Sequence, residues 1–144
     1  MAATFTKIIE SKPASMSYNI AMSTASKSSS FSEALHGRQE LTITIRGRRS
    51  GHPIILPVWF VHNGSDVLLL PVHGSKSQWF LNLQANATIT LNAGRQRLTG
   101  TAHLFVDQAK AMAARKLFEQ KYGASEVAKY YSVFDAVVEV PLAS

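Results

Sequence analysis

The chain contains no cysteine among its 144 residues, which excludes disulfides, thiolate metal sites and cysteine nucleophiles. Charged residues make up only 17% of the sequence, below the ~25% of an average protein. No apolar run approaches the ~20 residues that a membrane-spanning helix needs. The Gly-x-Gly-x-x-Gly loop of doubly wound nucleotide folds, the P-loop and the Gly-x-Ser-x-Gly elbow are also missing. The length suits one domain that folds without cross-links.

The charges that are present are mostly basic. Fifteen lysines and arginines against nine acidic residues give a formal net charge of +6, which favours anionic partners. The low total charge argues against a nucleic-acid-coating protein, so we expect a small anionic ligand and no nucleic acid. Polar residues interrupt the N-terminus, which lacks a signal pattern, and we therefore expect a cytoplasmic protein. A weak peripheral membrane contact through the basic N-terminal region stays open at this point.

Two regions of different composition divide the chain. Residues 1–32 include a serine-rich stretch with little apolar content, which predicts a flexible arm. Residues 33–144 carry the apolar periodicity of a compact domain. We therefore place the ligand-binding domain in residues 33–144.

From residue 40 the periodicity is mostly that of β-strands. Leu41, Ile43 and Ile45 alternate with threonines, as in a half-buried strand. Six strands are predicted, over residues 41–45, 54–62, 67–72, 88–92, 95–106 and 133–140. Helices are predicted over 75–86, 108–122 and 125–131, with Asp107 as an N-cap and Gly123 as a helix stop. The predicted class is mainly β (α+β): a small, mostly antiparallel six-stranded barrel with short flanking helices.

A cationic turn connects the first two predicted strands. The segment Gly47–Pro53 places Arg48, Arg49 and Ser50 between two glycines. Gly47 and Gly51 let the backbone turn tightly and let a ligand approach closely. Arginine and serine offer donors to an anionic oxygen. The turn is either a phosphate-binding site or an ordinary solvated hairpin tip.

A second polar segment lies where the third predicted strand gives way to a helix. It contains His73, Gly74, Ser75 and Lys76, and its backbone N–H groups at the helix start suit an anion. Trp79 and Asn82 follow three positions apart and so share a helix face. Each of these residues also has an ordinary structural explanation. Trp79 would pack in the core, Lys76 would be a solvated surface charge, and Ser75 would cap the helix.

If the two segments meet, they form one cationic site. Each charge-assisted hydrogen bond contributes about 1.5–3 kcal/mol, so three would hold a phosphate firmly. Metal binding is not expected, because the five histidines show no ligand spacing.

The two segments together resemble a known family. Gly-Arg-(Arg/Lys)-Ser-Gly-x-Pro at residues 47–53, Pro57 in the next strand, and Trp-(Phe/Tyr)-x-Asn-Leu-x-Ala-Asn at residues 79–86 are similar to the deazaflavin-dependent nitroreductase and quinone reductase family. The resemblance spans residues 33–140. It implies the split β-barrel shared with FMN-binding pyridoxamine-phosphate-oxidase-like proteins, coenzyme F(420) as cofactor, and hydride transfer to a quinone, nitroaromatic or similar electron-poor acceptor.

The resemblance also implies roles for individual residues. Those implied to bind the cofactor are Arg48, Arg49, Ser50 and Gly51 at its phosphate and acidic tail, Pro57, Val58 and Trp59 at its ring, His73, Gly74, Ser75 and Lys76 at its ring and linker, and Trp79 and Asn82 as supports of that loop. Tyr130 and Tyr131 are candidates for the proton donor or for contacts with the acceptor. Ile54 stands where many relatives carry a basic residue.

Two alternatives to this function remain at the level of sequence. The same barrel could bind FMN as an oxidoreductase, or it could be a non-enzymatic nucleic-acid-binding barrel driven by the +6 charge. The last is disfavoured because no basic–aromatic ladder is visible. The partner of an enzyme would be a small-molecule electron acceptor, and the chain would act as a monomer or a homodimer.

Overall fold

The structure, a computed structural model, describes residues 31–142. The predicted flexible arm and the N-terminal membrane contact therefore lie outside the described residues, apart from positions 31 and 32. Residues 31–35 are helical (α1), and both Phe31 and Leu35 are buried in the core. Within residues 31–142 no helix is both long and apolar enough to span a bilayer.

The described part of the chain forms two antiparallel four-stranded sheets. The first sheet has the order β2-β1-β5-β6 and the second the order β3-β4-β8-β7. The strands are β1 Glu40–Arg46, β2 Pro53–Trp59, β3 Val61–Asn63, β4 Asp66–Leu69, β5 Thr88–Ala93, β6 Gln96–Thr101, β7 His103–Phe105 and β8 Val137–Pro141. The further helices are a 3-10 turn at Gly74–Lys76, α2 Gln78–Ala85, α3 Gln108–Tyr122 and α4 Ala124–Tyr130.

The mostly antiparallel α+β architecture confirms the predicted class, but the strands number eight instead of six. The predicted strands 54–62 and 95–106 each pass from the first sheet to the second, bending at Phe60 and at Ala102. Both residues at the bends are buried, so the apolar pattern continues through them and gives no sign of the change. These two crossings join the sheets at both edges without closing them into one hydrogen-bonded barrel.

Local sequence signals explain several boundaries. Pro57 is tolerated because β2 is an edge strand, where a missing N–H leaves no partner unpaired. Asp107 caps α3 by accepting a hydrogen bond from the Lys110 backbone N–H at 3.1 Å, as predicted. The last strand begins at Val137 and not at 133, since Val133 makes only an isolated bridge to His73.

The apolar residues pack in two clusters. The larger lies between the sheets and includes Ile43, Phe80, Leu91 and Val138. The smaller packs α3 and α4 against the second sheet through the side chains of Phe118, Val127, Tyr131 and Val137. Tyr131 therefore connects the helical layer to the cavity described next.

Candidate functional site

A cavity of about 520 Å³ opens where β2 leaves the first sheet. This volume is within the ~300–1,000 Å³ of small-molecule sites. Its lining is largely aromatic and aliphatic, with two carboxylates, and consists of Glu40, Leu56, Pro57, Val58, Trp59, Leu70, Val72, Trp79, Glu126, Tyr130 and Tyr131. Four aromatic rings and five aliphatic side chains can enclose a flat conjugated molecule.

The wall at Trp59 is held from behind by α3. The Tyr122 ring stacks on the Trp59 indole, with 4.1 Å between ring centroids and 7° between planes. Tyr130 meets the same indole edge-on, at 5.5 Å between centroids. Two ring contacts of this kind restrict the indole to one orientation. The Trp59 indole is therefore held between two aromatic side chains on this side of the cavity.

The Tyr122 hydroxyl secures the bend between β2 and β3. It accepts a hydrogen bond from the Phe60 backbone N–H at 3.0 Å and lies 2.6 Å from the Gln39 carbonyl oxygen and 2.9 Å from that of Phe60. Burial raises the pKa of Tyr122 to about 12, so the phenol stays protonated and able to donate. Lys121 adds a 2.8 Å hydrogen bond from Nζ to the same Phe60 carbonyl.

The amine of Lys121 is partly removed from water. It lies 3.5 Å from the centroid of the Phe60 ring, although the side chain as a whole is exposed. Burial lowers the pKa of this amine to about 8 from its ordinary 10.5. The folded chain therefore releases this proton at a lower pH than the unfolded chain does.

The unfolding free energy is expected to rise with pH between about pH 8 and 10 because of Lys121. In this window the unfolded chain binds a proton that the folded chain does not, so increasing pH favours the fold. Urea denaturation of the native chain and of Lys121→Met at pH 7.5 and about 9.5 measures the effect. The native chain should gain more stability than the variant; equal pH dependence would contradict the lowered pKa.

Tyr131 places an unpaired phenol at the cavity. The residue is 7% exposed, and among residues 31–142 no hydrogen bond involves its hydroxyl. Burial raises the pKa of Tyr131 above its ordinary value, so this hydroxyl is a neutral donor. A buried hydroxyl without a partner is unfavourable, and a ligand oxygen in the cavity would satisfy it. Tyr130, by contrast, is half exposed at the cavity mouth.

The hairpin tip meets α2, but its described hydrogen bonds run to Gln78 and Asn82 and not to Ser75 or Lys76. The Arg48 guanidinium donates to the Asn82 Oδ1 at 2.8 Å and to the Gln78 Oε1 at 2.9 Å, with a longer 3.4 Å contact to the Gln78 carbonyl. The Arg48 backbone N–H also donates to the Asn82 Oδ1, at 3.1 Å. Arg49 and Ser50 are exposed at the tip. Arg48 is thus chiefly a link between tip and helix.

The bend before α2 is fixed by a residue of the C-terminal segment. Asp135 accepts two hydrogen bonds from Ser75, one from the hydroxyl at 2.7 Å and one from the backbone N–H at 2.8 Å. These two bonds hold the pKa of Asp135 below its ordinary value. Ser75 therefore gives its donors to a carboxylate of the chain itself. Lys76 beside it is exposed.

Gly74 allows the backbone to adopt the conformation of this bend. Its φ of +64° is in the left-handed region, which favours glycine. A Cβ built on Gly74 would collide with the Asp135 carboxylate and lie 2.7 Å from the Val133 Cγ1. The neighbouring His73 donates its backbone N–H to the Ser77 Oγ at 2.8 Å, and its ring Nδ1 lies 3.1 Å from the Ser132 Oγ.

The structure separates the predicted site residues into two groups. Pro57, Val58, Trp59 and Trp79, with both candidate tyrosines, line the cavity. Around the tip and the bend, and not among the residues that line the cavity, are Arg48, Arg49, Ser50, Gly51, His73, Gly74, Ser75, Lys76 and Asn82. Helix α2 connects the groups, because Trp79 lines the cavity while Gln78 and Asn82 bind Arg48.

Four polar residues of the site were not predicted from the sequence, namely Glu40, Gln78, Glu126 and Asp135, and neither were the apolar lining residues Leu56, Leu70 and Val72. Only Asp135 left a signal. An aspartate inside the apolar run predicted as a strand is disfavoured there, and it marks the true start of β8 at Val137. Among residues 31–142 no group of three or more His, Asp or Glu side chains is gathered closely enough to hold a metal ion.

Comparison with known proteins is consistent with this geometry. A family model described as F(420)H(2)-dependent quinone reductase matches residues 17–140. Among solved structures, the chain is similar to an F(420)-H2-dependent reductase, with a TM-score of 0.56 and 21% identity over 72% of this chain and 94% of that one.

Two further solved structures share the fold at lower identity. They are the heme storage protein HutZ from Vibrio cholerae, with a TM-score of 0.58 and 14% identity over 81% of this chain and 89% of that one, and a proposed pyridoxamine 5′-phosphate oxidase from Listeria innocua, with a TM-score of 0.57 and 14% identity over 79% and 92%. Identities this low show a common split-barrel fold and leave the ligand to other evidence.

Proposed function

The chain belongs to the F(420)H(2)-dependent quinone reductase family of oxidoreductases, and we propose that it transfers a hydride from the reduced deazaflavin coenzyme to a quinone or nitroaromatic acceptor in the aromatic cavity. The observation that carries the proposal is this cavity, walled by Trp59, Trp79, Tyr130 and Tyr131 and adjoined through α2 to the arginine-bearing tip. An apolar cavity beside a cationic rim, formed by Arg48, Arg49 and Lys76, suits a flat redox ring with an anionic tail.

The cavity residues fit the conjugated parts of both reactants. Aromatic walls favour flat rings through stacking and area burial, and the unpaired Tyr131 hydroxyl needs an oxygen or nitrogen partner. When bound, the reduced coenzyme supplies the hydride, while the protein binds, orients and shields the reacting rings. The neutral Tyr131 hydroxyl would donate a hydrogen bond to a carbonyl or nitro oxygen of the acceptor.

The rim residues fit the anionic tail of the coenzyme. Arg48 has five N–H donors, and its three contacts with Gln78 and Asn82 leave two for a ligand. Arg49 and Lys76 are exposed and add two positive charges. Because the donors of Ser75 are engaged by Asp135, we assign the tail phosphate to the three cationic side chains.

The proposal is tested by mixing the protein with reduced coenzyme F(420) and either a naphthoquinone or a nitroaromatic acceptor. Recovery of the visible absorbance and fluorescence of the oxidised coenzyme reports hydride transfer. We expect protein-dependent recovery with at least one acceptor, and calorimetric binding of the coenzyme at micromolar concentration. Absence of binding to the coenzyme would overturn the proposal.

A matched pair of arginine variants tests the assignment of the tail. Arg49→Ala should weaken coenzyme binding about tenfold, as the loss of one charge-assisted contact of ~1.5 kcal/mol predicts. Arg97→Ala removes the same charge from an exposed position on β6 and should change binding less than twofold. Equal weakening by both would show that only net charge matters, and the tip would lose its assigned role.

FMN is the alternative cofactor, because the fold is shared with the Listeria protein described as a pyridoxamine 5′-phosphate oxidase. Parallel titrations with FMN and with F(420) distinguish the two. Tighter binding of FMN, with a yellow purified protein, would replace the deazaflavin in the proposal and leave the cavity assignment in place.

A further inference from the structure

The two carboxylates of the cavity lining add negative charge, which the binding of a flat aromatic ring does not require. Glu40 begins β1 and Glu126 lies in the first turn of α4, and both are exposed. Among the described residues, no lysine or arginine lines this cavity. In the same part of the chain the ion pairs are Lys110–Glu139 and Arg115–Glu119, so neither cavity carboxylate is neutralised by a salt bridge there.

The carboxylates and the arginines stand at opposite ends of β1. Glu40 is paired with Trp59, and Arg46 with Pro53 at the other end, next to the tip that bears Arg48. Six residue steps at ~3.4 Å each place the two ends about 20 Å apart. The site therefore runs from a positive end at the hairpin tip to a negative end at Glu40.

A second observation marks the negative end as a ligand site. Tyr131 is 7% exposed, lines the same cavity as the two carboxylates, and has no hydrogen-bond partner for its hydroxyl among residues 31–142. A neutral phenol among the lining residues can donate a hydrogen bond to an uncharged ligand oxygen, whereas the exposed carboxylates repel an anion that approaches the cavity.

We infer that Glu40 and Glu126 select the acceptor by charge: the cavity takes neutral or cationic quinones and nitroaromatics and disfavours those that carry a carboxylate, sulfonate or phosphate. The inference rests on the proposed function and deepens it, since it names the class of acceptor. The same repulsion directs the anionic tail of the coenzyme to the opposite, arginine end. The two glutamates determine which acceptors bind and take no part in the hydride transfer between the bound rings.

Binding is measured independently of turnover through tryptophan fluorescence. The chain has two tryptophans, Trp59 and Trp79, and both line the cavity, so quenching reports occupancy directly. The probes are a neutral naphthoquinone, its sulfonate and its trimethylammonium derivative, titrated at low and at high salt. We expect the sulfonate to bind about fivefold to tenfold more weakly than the neutral quinone at low salt, with the difference shrinking as salt screens the charges.

Matched variants connect the effect to the two side chains. The double variant Glu40→Gln and Glu126→Gln should bring the sulfonate to within about twofold of the neutral quinone, because the repulsion is removed and the cavity shape is kept. Glu33→Gln, which removes an exposed carboxylate outside the cavity, should leave the discrimination unchanged. Thermal unfolding of each variant confirms that it is folded.

The outcomes separate this inference from the proposed function. If neutral and sulfonated quinones bind equally and the double variant changes nothing, the charge selection is wrong even when coenzyme oxidation is observed. If the discrimination appears in binding but no acceptor oxidises the reduced coenzyme, the selection stands and the proposed reaction fails. Equal loss of discrimination in Glu33→Gln would assign the effect to net charge and overturn the inference.

Discussion

Replacing Gly74 with alanine is expected to destabilise the fold by about 3 kcal/mol. The left-handed backbone at φ +64° costs a residue with a Cβ about 1–2 kcal/mol. The added methyl also collides with the Asp135 carboxylate and with the Val133 side chain, and overpacking of this kind typically costs about 1–3 kcal/mol. Urea denaturation monitored by the intrinsic tryptophan fluorescence measures the loss.

Gly64→Ala is the control that separates backbone strain from crowding. Gly64 has nearly the same φ, +63°, but a Cβ there would have no atom within 4 Å. This variant should lose only the ~1–2 kcal/mol of the backbone term. If the two variants lose the same stability, the contact of Asp135 with the bend is looser than the structure shows.

Replacing Asn82 with alanine is expected to destabilise the chain by about 2 kcal/mol and to weaken coenzyme binding as well. The Asn82 side chain is 6% exposed, and its Oδ1 accepts from the Arg48 backbone N–H and from the Arg48 guanidinium. Removing it leaves a partly buried N–H unpaired, at about 1–3 kcal/mol, and breaks a charge-assisted bond. The higher helix propensity of alanine offsets about 0.5 kcal/mol.

Two variants on the same helix test that explanation. Gln84→Ala removes an exposed amide from α2 and should change stability by less than ~0.5 kcal/mol. Asn82→Asp keeps an acceptor for both Arg48 donors and should recover much of the stability lost in Asn82→Ala. Denaturation and coenzyme titration are read together, and a destabilised Asn82→Ala that binds the coenzyme normally would show that coenzyme binding does not depend on this contact with the tip.

Features set by neighbouring residues were predictable from the sequence. The Asp107 cap and the Gly123 stop each depend on local chemistry. The meeting of the hairpin tip with the start of α2 could be proposed as a hypothesis, because both segments carry polar groups that suit one ligand. Its actual form, an arginine bonded to Gln78 and Asn82, depends on three-dimensional packing.

Non-local features were not predictable. Ser75 and Asp135 are 60 positions apart, and a hydrogen bond over that distance leaves no periodic trace in the sequence. The crossing of strands between sheets at Phe60 and Ala102 leaves no signal either, since the run 54–62 is apolar on both sides of Phe60 and the alternation of Leu98 and Leu104 continues through Ala102. The placement of Glu40 and Glu126 at one cavity follows from how α4 packs on the second sheet, which no single element determines.

The bonds from α3 to the Phe60 bend have a consequence for evolution of this scaffold. Tyr122 stacks behind the Trp59 indole and Lys121 donates a hydrogen bond to the neighbouring Phe60 carbonyl, yet neither residue lines the cavity. Substitutions along α3 would tilt the Trp59 indole and so change the shape of the cavity without altering a residue that lines it. Descendants of this chain could acquire new oxidants while every residue that touches them stays the same.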